Sequence, residues 1–213
     1  MKRKELEKRS YTCDVRAEEK DGERVITGRP IVYNSRTDIG PFDEVIDPGA
    51  LDGTDLTDVR FLINHDLSKI PLARSRRNNP ASTMYMSVDA EGLSLDWVRL
   101  DTENNADARA LYSAVMRGDV SGMSFMFSVD GESWEDIQSE HPTRHITKIG
   151  SVVEVSAVTF PAYESTEIHA RNKDALESAK KVLESARLSR AAEVDTSELE
   201  LLKEKTKIIG GMR

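Results

Sequence analysis

The feature that most constrains the fold is an apolar run from Ile146 to Phe160, dense in β-branched residues. Within it, residues 152–158 read Val-Val-Glu-Val-Ser-Ala-Val. Branched side chains lose rotamer freedom in a helix and pack well on a pleated sheet. Pro161 ends the run, because proline cannot donate to a central ladder. We therefore expect a strand here and a chain built around a β-sheet.

A second apolar segment, from Asp119 to Phe127, predicts another strand. Val120, Phe125 and Phe127 suit a pleated surface, and the Asp130-Gly131 pair that follows is a hairpin-turn signal. Ser124 lies among these apolar neighbours, where a hydroxyl needs a partner. From this stretch alone two interpretations stay open: a hydroxyl bonded to nearby backbone, and a nucleophile.

The remaining elements follow from hydrophobic periodicity. Strands are predicted over residues 11–17, 24–33, 42–46, 59–63, 83–88 and 93–98. Residues 105–117 predict a helix, because Ala108, Leu111 and Val115 recur at helical spacing. Asn104 or Asn105 can cap its start, and Gly118 its end. Two polar stretches, residues 66–80 and 131–142, predict loops, the first of them long and mobile.

Composition divides the chain into three parts. Residues 1–9 predict a flexible charged leader, residues 10–170 the β-rich domain, and residues 171–213 a helical C-terminal tail. In the tail, alanine and leucine at helical spacing predict one amphipathic helix, and Thr196 can start a second. The ordinary interpretation is that the tail packs on the domain or on a partner. The sharper one is a removable docking segment.

Charge and cysteine content exclude several classes of protein. The net charge of −8 over 213 residues argues against nucleic acid or an acidic membrane surface as the main partner. A single cysteine, Cys13, excludes an internal disulfide framework and fits a reducing, intracellular setting. No apolar run approaches the roughly 20 residues that span a bilayer. The charged start, residues 1–5, lacks an apolar core behind it, so we expect no signal peptide.

Three polar residues stand at predicted strand positions: His65, Ser124 and Glu154. Acyl transfer needs a hydroxyl nucleophile, a base and a group that orients the base, and these residue types are the usual set. Their order along the chain differs from the three familiar serine hydrolase orders. The serine context, Gly-Met-Ser-Phe-Met over residues 122–126, also lacks the last glycine of the G-x-S-x-G elbow. An α/β-hydrolase is therefore disfavoured.

Five segments in order carry a family resemblance. They read Gly-Arg-Pro-Ile-Val-Tyr-Asn-Ser at 28–35, Glu-Val-Ile-Asp-Pro-Gly-Ala at 44–50, Asn-His-Asp at 64–66, Ser-Gly-Met-Ser-Phe at 121–125 and Glu-Val-Ser-Ala-Val-Thr-Phe-Pro-Ala at 154–162. From about Tyr11 to about Ala170 the chain resembles the prohead maturation proteases of tailed bacteriophages, a family similar in fold to the herpesvirus assemblins. The family often has glycine where this chain has Met126, a departure that touches strand packing more than chemistry.

The resemblance implies Ser124 as the nucleophile and His65 as the general base. Assemblins use a second histidine as the third member, and Glu154 occupies the comparable place in chain order. Asp66, beside His65, is the rival for that role. Neighbouring residues of a strand point to opposite faces, which favours Glu154 over Asp66.

Non-catalytic roles are open for the same residues. Glu154 could instead pair with an arginine such as Arg60 or Arg99.

His141 and His145 stand four apart in a predicted loop and suggest a metal site, hence a metallohydrolase. Without a helix or a third ligand beside them, solvated loop histidines are the better interpretation.

The resemblance implies a β-rich α+β fold: a partly open antiparallel barrel, similar to that of the assemblins, flanked by short helices and followed by the helical tail. It implies a serine endopeptidase of capsid maturation, packaged inside the procapsid in the host cytoplasm. There it would cleave the scaffolding segment of the major capsid protein and finally itself.

No cofactor, metal, nucleic acid or membrane partner is expected, and the oligomeric state stays open, a homo-oligomer included. An alternative from another class is a non-catalytic internal scaffold whose tail binds the shell. Cleavage that depends on Ser124 would distinguish a protease from a scaffold.

Overall fold

The computed structural model describes residues 6–12, 15–159 and 177–192. Cys13, the end of the valine-rich run at Phe160 and the second predicted tail helix lie outside the described residues. The elements are β1 Glu7–Thr12, β2 Arg16–Lys20, β3 Glu23–Val32, β4 Thr37–Asp38, β5 Asp43–Ile46, β6 Val59–Ile63, β7 Ala73–Ser75, β8 Met84–Asp89, β9 Gly92–Arg99, α1 Ala106–Arg117, β10 Gly122–Glu135, β11 Thr143–Val158 and α2 over residues 177–192.

Two open sheets make up the fold. The first sheet has seven strands in the order β1-β10-β11-β5-β4, with β6 also paired to β11 and β7 paired to β6. The second sheet has the order β2-β3-β9-β8 and is antiparallel throughout. The β-rich α+β class is therefore confirmed.

The described strands do not close into a barrel, and the first sheet is not purely antiparallel. β11 is 16 residues long, and β5 and β6 pair with different parts of it, both in parallel. One long strand thus offers the same edge to two short strands, so the sheet branches instead of curling to closure.

The hydrophobic core lies between the sheets and α1. It joins Phe125 and Val155 of the first sheet to Ile26 and Leu95 of the second, with Leu111 from the helix. The helix boundaries agree with the prediction. Its N-cap side chain accepts two backbone N–H bonds, and the glycine after its last residue adopts a left-handed φ of 79°.

The hairpin turn predicted at Asp130-Gly131 is wrong, because β10 runs on to Glu135 and β11 begins at Thr143. Register shifts flank this pair, so the Asp-Gly signal forms a bulge within the long hairpin. A Cβ added at Gly150 would lie 2.3 Å from Asp130 Oδ1, so a larger residue there would force the Asp130 side chain to move. An Asp-Gly pair fits both a turn and a bulge, and only cross-strand pairing decides between them.

The leader and the first predicted strand also differ from expectation. Residues 7–9, assigned to the flexible leader, form the start of β1 and pair with β10. The single strand predicted over residues 11–17 is two strands in different sheets. The predicted loop over residues 66–80 contains β7, which pairs with β6.

The helix α2 packs on the first sheet's side of the domain. Ala179 and Leu183 form a small apolar cluster with Phe42, and Arg187 donates to the carbonyl oxygens of Ile137 at 2.9 Å and Ser139 at 2.7 Å. The first predicted tail helix therefore contacts the domain. Among the described residues, neither helix has the length and apolar character required for a membrane span.

Candidate active site

His65 lies in a turn directly after β6, and both Asn64 and His65 have left-handed backbone angles, with φ of 52° and 57°. Such angles cost on the order of 1–3 kcal/mol for each non-glycine residue. Hydrogen bonds to β11 and the residue after it hold the turn. Asn64 N donates to Ala157 O at 3.0 Å, Thr159 N donates to Asn64 Oδ1 at 3.0 Å, and His65 N donates to Ser156 Oγ at 3.0 Å.

Ser124 lies in β10 with no exposed surface. Its Oγ contacts Nε2 of His65 and also donates a 2.7 Å hydrogen bond to the carbonyl oxygen of Arg9. Both interpretations left open by the sequence are therefore present in the geometry: the hydroxyl has a backbone partner and a base beside it.

Glu154 lies in β11, 1% exposed. In the β10–β11 ladder it stands opposite Met126, two residues along from the Ser124 pair, so it shares a face of the sheet with Ser124. Its Oε1 contacts Nδ1 of His65. The structure thus brings the three predicted site residues together in one hydrogen-bonded row: serine, histidine, glutamate.

The rival carboxylate, Asp66, faces away from this row into solvent. It accepts hydrogen bonds from the Ser68 side chain at 2.5 Å and the Ser68 backbone N–H at 3.0 Å. These bonds lower the pKa of Asp66. Asp66 therefore serves a surface turn, while Glu154 contacts the imidazole.

The alternative role for Glu154, an ion pair with Arg60 or Arg99, is absent from the described part of the structure. Arg60 stands opposite Glu154 in the ladder, but its guanidinium donates to Asp58 at 3.0 Å. Arg99 lies 2.6 Å from Glu23 in the second sheet. Neither arginine neutralises Glu154, which instead contacts His65 and a serine.

That serine, Ser156, was given no role by the sequence analysis. Its Oγ donates to Oε2 of Glu154 at 2.7 Å and accepts the backbone N–H of His65 at 3.0 Å. One buried hydroxyl therefore orients both the acid and the turn that carries the base. A signal was present: Ser156 follows Glu154 by two residues, so on a strand the two side chains share a face.

The two histidines considered for a metal site bind different carboxylates. His141 Nε2 lies 3.0 Å from Asp43 and 4.0 Å from Asp38, at an exposed edge. His145 Nδ1 lies 2.9 Å from Asp47. The ligand atoms of Asp38, Asp43 and His141 fall within 4.8 Å of one another, but His145 does not join them.

A buried ion cluster adjoins the row. Arg144, only 2% exposed, donates to Glu7 at 2.7 and 2.9 Å, to Glu44 at 3.0 Å and to Glu132, while Arg9 donates to Glu44 at 2.5 and 2.7 Å. Burial alone would raise the pKa of Glu7, but bonds from Arg144 and the charges of both arginines outweigh it and lower that pKa to about 2. The cluster joins β1, β5, β10 and β11.

In the comparison with protein families, the family described as Caudovirus prohead serine protease matches residues 11–181. The chain belongs to this prohead serine protease family. Membership places it among the serine proteases of bacteriophage capsid maturation and implies action on capsid proteins within the procapsid. No curated protein and no solved structure matched the chain.

Proposed function

We propose that this member of the prohead protease family is an active serine endopeptidase with Ser124, His65 and Glu154 as its catalytic triad. The observation that carries the proposal is the hydrogen-bonded row from Ser124 Oγ through both imidazole nitrogens of His65 to Glu154 Oε1. Each of these residues lies within the part of the chain that the family matches.

Proton bookkeeping assigns a role to each group. A carboxylate only accepts hydrogen bonds, so Glu154 accepts one from the Nδ1–H of His65. Nε2 is then unprotonated and can accept the Ser124 proton. His65 removes that proton as Ser124 Oγ attacks the scissile carbonyl carbon. The imidazolium then protonates the leaving amine, and water hydrolyses the acyl-enzyme with His65 again as base. Glu154 fixes the tautomer of the neutral imidazole and stabilises the imidazolium that forms.

The proposed substrates are the scaffolding segment of the major capsid protein and, at the end of digestion, the enzyme itself. The proposed setting is the interior of the procapsid in the host cell. A likeness in fold to the assemblins belongs to the same proposal, with Glu154 in place of their second histidine.

The proposal also divides the chain by function. Residues 10–170 carry catalysis, and residues 171–213 dock the enzyme into the assembling shell and are later removed by self-cleavage. The contact of α2 with Phe42 supports a tail that packs on the domain until the tail is removed.

The test is coexpression of the chain with its capsid protein, followed by mass analysis of both proteins. Wild type should shorten the capsid protein and itself, and Ser124→Ala should leave both at full length while shells still assemble. Shell assembly assisted equally by both chains, with neither protein cut, would establish the scaffold alternative.

A chain ending at Ala170 tests the tail in the same system. It should be excluded from shells while the full chain is packaged. Normal packaging of the shortened chain would remove the docking role, and a full-length active enzyme that keeps its tail through maturation would remove the self-cleavage.

A further inference from the structure

The serine of the row is covered by the chain's own first strand. β1 pairs antiparallel with β10, with Ser10 opposite Ser124. The other side of β10 is paired with β11, so β1 occupies its only remaining edge. With β1 in place Ser124 has no exposed surface, and the carbonyl of Arg9 lies against its Oγ at 2.7 Å. A substrate carbonyl needs this space.

The Arg9 carbonyl also competes for the proton on which catalysis depends. A serine hydroxyl has a single proton to donate. Two acceptors contact Ser124 Oγ: Nε2 of His65 and the oxygen of Arg9. A hydroxyl that donates to Arg9 cannot at the same moment pass its proton to His65. In a productive complex the scissile carbonyl oxygen faces oxyanion donors instead. In this structure β1 therefore occupies the position beside Ser124 that a substrate has to reach.

Polar anchors hold β1 at this edge. The segment from Glu7 to Ser10 reads Glu-Lys-Arg-Ser and has no apolar side chain. Besides the backbone ladder with β10, its side chains make ionic contacts: Arg9 bonds to Glu44 at 2.5 and 2.7 Å, and Glu7 accepts from Arg144 at 2.7 and 2.9 Å. The Arg9 guanidinium also lies 5.8 Å from the centre of the Phe127 ring. Another extended segment with an acid two residues before a base could make the same bonds.

We propose that the edge of β10 from Gly122 to Phe127 is the substrate-binding surface, and that β1 is its resting occupant. The substrate is an extended segment that adds a strand to the sheet, with a basic residue recognised by Glu44 and an acidic residue two positions earlier recognised by Arg144. This inference rests on the proposed protease function and names both its substrate chemistry and its restraint. Capsid segments at high local concentration inside a shell displace β1 by mass action.

The first test needs no catalysis. Amide hydrogen exchange on the full wild-type chain should show β1 opening while β11 stays protected, since an occupant must leave a sheet that remains folded. Exchange of the β1 amides as slow as that of the β11 amides would make β1 a permanent strand and overturn the inference.

The second test measures access to Ser124 with a fluorophosphonate, which labels activated serines. Arg9→Ala removes charged hydrogen bonds and should raise the labelling rate by about tenfold. Lys8→Ala, the matched control, removes an exposed basic side chain of the same strand and should keep the wild-type rate. Equal rates for wild type and a folded Arg9→Ala chain would contradict the restraint.

The third test asks whether the edge takes a separate peptide. A fluorescein-labelled Glu-Lys-Arg-Ser-Tyr-Thr peptide should bind the Arg9→Ala chain in an anisotropy titration, and Glu-Lys-Ala-Ser-Tyr-Thr should bind at least about tenfold more weakly. Equal affinities would remove Glu44 as the recognition group.

The outcomes separate the two proposals. If no chain is labelled at Ser124 and no capsid protein is cut, the protease function fails, while hydrogen exchange and peptide binding still decide the inference. If cleavage proceeds but the peptide does not bind and β1 does not open, the inference fails alone.

Discussion

The two sheets bury different kinds of side chain. The buried side chains of the second sheet are apolar, as in Ile26, Leu95 and Val98. The first sheet buries hydroxyl and charged groups as well: Thr37, Glu44, Ser75, Ser124, Ser128, Thr143, Arg144, Glu154 and Ser156. The second sheet keeps its ion pairs at the surface, for example Arg29 with Asp89 at 2.6 Å.

This difference suggests a division of roles: the first sheet carries the candidate active site, and the second sheet supplies apolar packing. A buried polar group is costly unless it is hydrogen-bonded, and a buried charge more so unless it is paired. The first sheet meets this condition through the row of Ser124, His65 and Glu154 and through the ion cluster, in which each charged group has a partner. The second sheet covers the apolar face of the first. The following predictions test this division, from the largest expected effect to the smallest.

Replacement of a serine should abolish cleavage in the first sheet and leave the cleavage rate unchanged in the second. Ser124→Ala should lower the cleavage rate by roughly 10⁶-fold, the scale of loss when a triad nucleophile is removed. Ser87→Ala in the second sheet removes a hydroxyl that donates to Asp96 at 2.8 Å and should leave the rate unchanged. Kinetics on the purified chains with a capsid-derived peptide give both values. Comparable rates for the two variants would end the catalytic assignment of Ser124.

Neutralising the orienting acid should cost less than losing the nucleophile. Glu154→Gln retains the shape of the side chain but cannot stabilise the imidazolium, so kcat should fall by about 10⁴-fold. Asp66→Asn, beside the base but turned to solvent, should behave as wild type. An inactive Asp66→Asn chain together with an active Glu154→Gln chain would reverse the assignment of the third member.

The two sheets should respond differently to loss of an arginine. Arg144→Met leaves three carboxylates close together, two of them largely buried, and should lower the free energy of unfolding by about 3–5 kcal/mol. Arg99→Met breaks an exposed pair with Glu23 and should change it by at most about 1 kcal/mol. Urea unfolding of both variants measures the contrast, and equal losses would mean that the buried cluster has no special role in stability.

Ser156 should act as a positioning residue. Ser156→Ala removes a hydrogen bond to a carboxylate, so kcat should fall by about 10- to 100-fold with KM unchanged, and Ser156→Thr should recover part of the loss. Ser128→Ala is the matched control, because Ser128 is equally buried but bonds to Ser151 at 3.0 Å. A KM effect, or an equal kcat loss in the control, would show general damage to the sheet.

Acid should loosen the first sheet at β1. The pKa of Glu7 is lowered to about 2 from 4.5, so its ionised form favours the paired strand. That contribution is complete above pH 4.5 and is lost as pH falls towards 2. At pH about 3.5 the open population of β1 should be about tenfold larger than at neutral pH. Hydrogen exchange of β1 against β9 at the two pH values checks this, and a Glu7→Gln chain should lose the difference.

Local sequence signals were sufficient where the local and tertiary preferences agree. The helix α1 follows from apolar spacing, an asparagine cap and a terminal glycine, each of which acts within a few residues. The strands β6 and β9 follow from β-branched and aliphatic runs. The nucleophile, base and acid were also named from the sequence, though through the family resemblance and not from spacing.

Sequence signals gave wrong predictions where the local structure depends on distant partners. The Asp-Gly pair at Asp130 became a bulge because β11 continues opposite it. Residues 7–9 appeared to be leader because polar residues have no local preference for a strand. They join the sheet because Arg9 pairs with Glu44 and Glu7 pairs with Arg144, both far along the chain.

By itself, then, the sequence determined the strand-forming runs and the helix with its caps, because rotamer preference and capping are local. The three candidate site residues came from the family resemblance. Only the tertiary structure decided that Glu154 and not Asp66 meets His65, that Ser156 braces both, and that β1 covers Ser124. Those facts depend on register and on pairing between segments up to 137 residues apart, which no local signal encodes.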